Sequence, residues 1–113
     1  MNNITPEDLL AGASLSHQIS IPPEILRPGV ADNAREIVIS IKPLTIGTFQ
    51  LIIKAAKNDA SLIPLLMIKE SLTQPVLTLD QVKGLPLGLV NYLIAHIREI
   101  SGLTEKKSPL TTG

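Results

Sequence analysis

The chain has 113 residues with ten acidic and ten basic side chains, so its formal net charge is zero and it lacks the basic surplus that a phosphate-facing nucleic-acid surface needs. Its hydrophobic fraction is 44%, yet Phe49 and Tyr92 are the only aromatics, so the core must be aliphatic and offers no stacking platform for bases or sugars. There is no cysteine, which excludes disulfides, thiolate nucleophiles and Cys-ligated metals, and no apolar run reaches the roughly 18 residues of a membrane span.

The N-terminus has no basic region followed by an apolar run, so no secretory signal is expected and the expected location is the cytoplasm. Residues 1–35 are expected to be extended or partly disordered. Within them Thr5 can cap a short turn, Pro6 suits its first position, Glu7 and Asp8 complement its dipole, and Gly12 can end it. Residues 17–21, His-Gln-Ile-Ser-Ile, alternate weakly and suit a strand. Pro22, Pro23, Pro28 and Gly29 then interrupt any longer element.

Residues 36–42 are the best strand, with Ile37, Ile39 and Ile41 on one face and Pro43 ending the ladder. A lone strand needs a partner: residues 17–21 in an antiparallel ribbon, or an edge of another subunit. Thr45 caps a helix to about Lys57 with Phe49, Ile52, Ile53 and Ala56 on one face. Asn58-Asp59 marks a turn. A second helix covers residues 60–72, where Leu62, Ile63, Leu65, Leu66, Met67 and Ile68 occupy almost the whole circumference and Pro64 falls in the first turn.

Residues 73–75, Thr-Gln-Pro, read as a loop. Thr78 and Gln81 fit a capping box for a short turn ending near Gly84. Residues 85–101 form the last helix, with Leu89 or Val90, Leu93, Ile94, Ile97 and Ile100 at helical spacing and Gly102 as its C-cap. Residues 104–113 are expected to be a disordered tail. The expected fold class is α+β, mainly α: a small bundle of three to four helices with a short N-terminal β-ribbon, the core domain spanning residues 36–103.

The polar residues assemble no reaction centre by spacing. His17 and His96 are too far apart for any HxH or HxxxH metal motif. Glu99, three residues after His96, could orient it as a base, but both sit at the border of an apolar stripe, where a boundary position explains them as well. Glu7 and Asp8 are adjacent, point apart on a helix, and are better explained by its dipole than by a shared metal. Lys54, Lys57 and Lys69 read as a solvated helix edge rather than a phosphate site. No GxSxG, SxxK, GxGxxG or Walker pattern is present. The expectation is a non-catalytic protein with no cofactor, no metal and no small-molecule substrate. Its apolar second helix is either the centre of a small bundle or one wall of a groove, where Met67 suits an adaptable contact.

The order of several strings carries a resemblance. Ile41-Lys-Pro-Leu-Thr45 ends the strand, and a helix runs from Phe49 to Lys57. Then come Leu72-Thr-Gln-Pro-Val-Leu-Thr-Leu-Asp80 and Val82-Lys-Gly-Leu-Pro86, and the closing helix ends in Ile100-Ser-Gly-Leu103. Over residues 35–103 this resembles the tail assembly chaperones of long-tailed bacteriophages and related tail-like particles. The resemblance implies a chaperone that coats the long helical tape measure protein, meets tail tube components, associates with itself, and is absent from the mature particle. A groove near Leu62, Leu66, Met67, Leu93 and Ile97 would take the partner helix. The resemblance also leaves room for a permanent structural or adaptor subunit. Many such chaperones have a longer frameshifted form; Lys106-Lys107 is the dipeptide that A-rich slippery codons encode, or else part of an ordinary charged tail.

Overall fold

Isoleucines at alternate positions build the sheet. In the computed structural model, which describes residues 3–27, 29 and 36–103, β1 (His17–Ile21) pairs antiparallel with β2 (Ile37–Ile41), Ile19 opposite Ile39 and His17 opposite Ile41. The period-two spacing of a strand puts Ile19, Ile21, Ile39 and Ile41 on one face, and all four are buried. Gln18, Ser20, Val38 and Ser40 point the other way, and Val38 is exposed.

Residues 73 and 74 of the expected loop are instead part of a third strand. β3 (Leu72–Gln74) runs antiparallel to β2, with Leu72 opposite Ile41 and an irregularity in register at Ser40 and Ile41. The order is β1-β2-β3. The expected bundle of three to four helices with an N-terminal ribbon is therefore corrected: among the described residues the fold is a small α+β domain with six helices and a three-stranded antiparallel sheet. The cause lies outside the local sequence. Leu-Thr-Gln before a proline reads as turn chemistry, but β2 has a second edge to satisfy, and Leu72 fills a buried site beside it. Side chains tie the junction. Ser71, fully buried, donates its hydroxyl to the Lys42 carbonyl; the Lys42 N–H donates to the Ser71 carbonyl at 2.9 Å; and Thr73 donates to the Ser40 carbonyl at 3.1 Å.

The helices follow their start and stop residues closely. α1 (Pro6–Leu10) is capped by Thr5 and continues into a 3-10 turn (Ala11–Ser14) that passes through Gly12, so Gly12 does not end it. α2 (Pro23–Leu26) places Pro23 at its first position and packs Ile25 and Leu26 on the core. α3 (Ile46–Ala56) is capped by Thr45 and buries Ile52 and Ala56. It ends in a turn closed by the Asp59 N–H to the Ala56 carbonyl at 2.9 Å. Lys57 holds φ 51° and ψ −117° there, a conformation that favours glycine.

α4 (Leu62–Ser71) is the central helix. It packs against α3, β3, α5 (Leu79–Lys83) and α6 (Leu87–Ile100). That position explains its nearly unbroken apolar sequence, since a helix surrounded by neighbours has no polar face to keep. Leu66, Met67 and Ile68 are buried on α4, Val82 on α5, and Leu89, Leu93 and Ile97 on α6, all in one cluster with the sheet isoleucines. The expected tail at residues 104–113, with Lys106-Lys107, lies outside the described residues, as does much of the segment between β1 and β2.

Candidate functional site

The five residues proposed for partner contact occupy the interior. Leu66, Met67, Leu93 and Ile97 are buried, and Leu62 is half-buried against the same core. The structure brings them together where α4 packs on α6, so the contact they make is with each other's helix. One exposed apolar surface lies on α3, and two of the residues that sequence periodicity placed together on one face of that helix contribute to it.

Phe49 is 38% exposed and Ile53 43%, while Ile52 and Ala56 are buried. At about 100° per residue, Ile46, Phe49 and Ile53 form a stripe along one side of α3, next to the buried line of Ile52 and Ala56. Gln50, Lys54 and Lys57 follow its solvent edge. Ile46, at the first helical position, is 74% exposed. The apolar arc of α3 is therefore wider than the core needs, and its outer part faces solvent.

The stripe opens into a cleft of about 360 Å³ lined by Leu44, Thr45, Ile46, Phe49, Ser101 and Leu103. Two local devices build it. The Ser101 hydroxyl accepts the Leu44 N–H at 2.9 Å, fastening the end of α6 to the segment entering α3. Gly102, with φ +77°, reverses the chain after α6 in a Schellman arrangement: its N–H reaches the Glu99 carbonyl at 3.2 Å, and the Leu103 N–H reaches the Arg98 carbonyl at 2.7 Å. Only a residue tolerant of the left-handed region suits that position. The reversal sets Leu103 against the cleft. The string Ile100-Ser-Gly-Leu103 is thus more than a helix stop: Ser101 and Leu103 line the apolar cleft.

The histidines take structural places. His96 packs edge-on to Tyr92 with ring centroids 4.6 Å apart, and its Nδ1 lies 4.0 Å from a Glu99 carboxylate oxygen. Tyr92 in turn donates its hydroxyl to the Ser20 carbonyl at 2.8 Å, bridging α6 to β1. His17 lies in β1 opposite Ile41, far from His96 in the chain. Glu7 and Asp8 stand in the first turn of α1, where the Asp8 carboxylate accepts the Thr5 N–H at 2.9 Å. Among the described residues, no three His, Asp or Glu side chains converge to hold a metal ion. Nor is any described helix long and apolar enough to cross a membrane.

Periodicity alone missed Leu44, Ile46 and Leu103. Leu44 and Leu103 lie outside helices, so no helical period includes them. Ile46 fits the same stripe as Phe49, but nothing local says that the stripe stops short of burial. An indirect signal exists: with Leu51 the apolar arc of α3 runs from Leu51 through Ile52, Phe49 and Ile53 to Ile46, more than half a turn, which exceeds what one core contact uses. Neither a protein-family model, nor a curated protein, nor a solved structure matches this chain.

Proposed function

We propose that this chain is a non-catalytic tail assembly chaperone of a long-tailed phage or related tail-like particle. It holds the tape measure protein, and meets tail tube components, in the host cytoplasm before the tube forms. The observation that carries the proposal is the α3 stripe of Ile46, Phe49 and Ile53 continuing into the cleft with Leu44 and Leu103. An amphipathic helix can lay its apolar face along such a stripe, with anchors spaced three and four residues apart. The resemblance over residues 35–103 supplies the particular partner, and two residues of its closing string, Ser101 and Leu103, line the cleft.

Magnitudes favour a contact that is made and released. Covering three partly exposed side chains is worth on the order of a few kcal/mol. One such contact corresponds to roughly millimolar affinity. Repeated along a long helical partner by many copies, it sums to firm coverage without any single tight bond. Displacement by assembling tube subunits then needs only one weak contact to break at a time.

Co-expression with the long helical protein encoded in the neighbouring region tests the proposal. The expected result is a co-purifying complex and more soluble partner, with both lost in Phe49→Asp. No complex and no gain in solubility would sink it. Mass spectrometry of purified particles separates the chaperone from a permanent subunit: stoichiometric presence in the particle would replace the chaperone reading with a structural one.

A further inference from the structure

The N-terminal arm is the second exposed apolar element. α1 and the following 3-10 turn contain no buried residue, and their main packing is against each other rather than the body of the domain. Yet the arm is amphipathic. Leu9 and Leu10 lie near one face of the helical segment with Ala13 about one turn on, while Glu7 and Asp8 lie off that face. Leu9 is 80% exposed and Leu10 65%. A preformed, capped, amphipathic arm with nothing of its own to cover is an occupant without a site, just as the α3 stripe is a site without an occupant.

The two are complementary in charge. Residues 3–16 contain Glu7 and Asp8 and no basic residue, whereas residues 44–58 contain Lys54 and Lys57 and no acidic residue. The lysines border the solvent edge of the stripe, where carboxylates on the polar side of a docked arm can meet them. We propose that two copies of this chain associate by exchanging arms, α1 of each copy lying on the α3 stripe and cleft of the other. Such an exchange is two-fold symmetric and uses each surface twice. Opposite charges on arm and receptor favour that pairing over arm against arm or stripe against stripe, both of which place like charges together. The exchange keeps the apolar stripe covered until a longer amphipathic helix displaces the arm.

The inference rests on the α3 stripe being a docking surface, as proposed above, but its test uses this chain alone. Failure here therefore leaves the co-expression result standing, and failure there leaves this one standing. Sedimentation equilibrium of the full chain is run over a range of concentrations for the wild type, Leu10→Asp, Ile46→Asp and an equimolar mixture of the two variants. Leu10 supports no core contact, and a carboxylate at position 46 sits at the start of α3, where the helix dipole favours it, so both variants keep the fold. Unchanged thermal melting at low concentration checks this. The wild type is expected to dimerise, and each variant to weaken the dimer at least about a hundredfold, the equivalent of two large side chains' burial lost, one from each copy. The mixture is expected to recover part of the loss, because the intact arm of Ile46→Asp can dock on the intact stripe of Leu10→Asp. A wild type that stays monomeric at millimolar concentration would overturn the proposal. So would a dimer insensitive to Leu10→Asp, or a mixture no stronger than either variant alone.

Discussion

Two helices of this protein begin alike and end up with opposite relations to the fold. α1 and α5 are both five residues long, and both start with a threonine capping box. Thr5 accepts the Asp8 N–H at 3.3 Å, and Asp8 accepts the Thr5 N–H at 2.9 Å. Thr78 accepts the Gln81 N–H at 3.2 Å, and Gln81 accepts the Thr78 N–H at 2.9 Å. The difference is what each helix packs on the core, Leu79 and Val82 in α5 and no large side chain in α1. α5 drives Val82 fully into the core against α4, while α1 buries nothing. Capping satisfies the orphan N–H groups of a first turn and fixes its local geometry, but it does not say where the helix goes. Burial decides that. The protein thus holds one capped turn as part of its core and another as a formed element available to something else.

The sharpest way to break the comparison is to make the same change on both helices. Val82→Asp is expected to unfold the domain or cost more than about 4 kcal/mol, because an unpaired charge would replace a side chain with no water access. Leu9→Asp should change stability by less than about 0.5 kcal/mol at low concentration, since that side chain already faces water. Denaturant melts of the two variants measure both. A large loss from Leu9→Asp would mean that α1 packs on the body after all.

A smaller contrast comes from the caps themselves. Thr78→Ala should cost about 1 kcal/mol of global stability, because α5 folds and unfolds with the core through Val82. Thr5→Ala should leave the denaturation midpoint where it is, since a helix without buried contacts opens on its own. Equal shifts in the two midpoints would erase the distinction drawn here.

These helices also mark what can be read from a sequence. Thr5, Thr45, Thr78 and Gly102 announce helix boundaries through chemistry confined to a few residues, and each stands at the expected boundary. The pairing of residues 17–21 with 37–41 follows from shared alternation of isoleucines. β3 did not announce itself, because three residues are too few to show a period and its partner is some 30 positions away. Without it a three-stranded sheet reads as a two-stranded ribbon beside a helical bundle. The candidate surface was harder still. Leu66, Met67, Leu93 and Ile97 and the stripe of Ile46, Phe49 and Ile53 are equally apolar strings, and only the stacking of α4 between α3, α5 and α6 separates those that are used from those left over. Apolar density marks a helix that must be covered, but the sequence does not say whether its own chain supplies the cover.

The smallest expected effect is the one that ties cap to contact. If α1 is a preformed element for a second copy, its cap contributes to association without contributing to the isolated fold. Removing Thr5's hydroxyl leaves the Asp8 N–H without its side-chain acceptor, so the free arm spends more of its time unwound. Docking must then supply the ordering that the cap had already provided. A cap worth about 0.5 kcal/mol on each of the two docked arms becomes a roughly fivefold weaker dimer in Thr5→Ala, with thermal melting of the dilute protein unchanged. Leu10→Asp should exceed that loss, because it removes the contact itself and not its preparation. If Thr5→Ala weakens the dimer as much as Leu10→Asp does, Thr5 touches the partner directly and the role of the cap as a local device is wrong. If it has no effect on a dimer that Leu10→Asp does weaken, the arm docks in an extended form, and the helix seen at Pro6–Leu10 is not the conformation that binds.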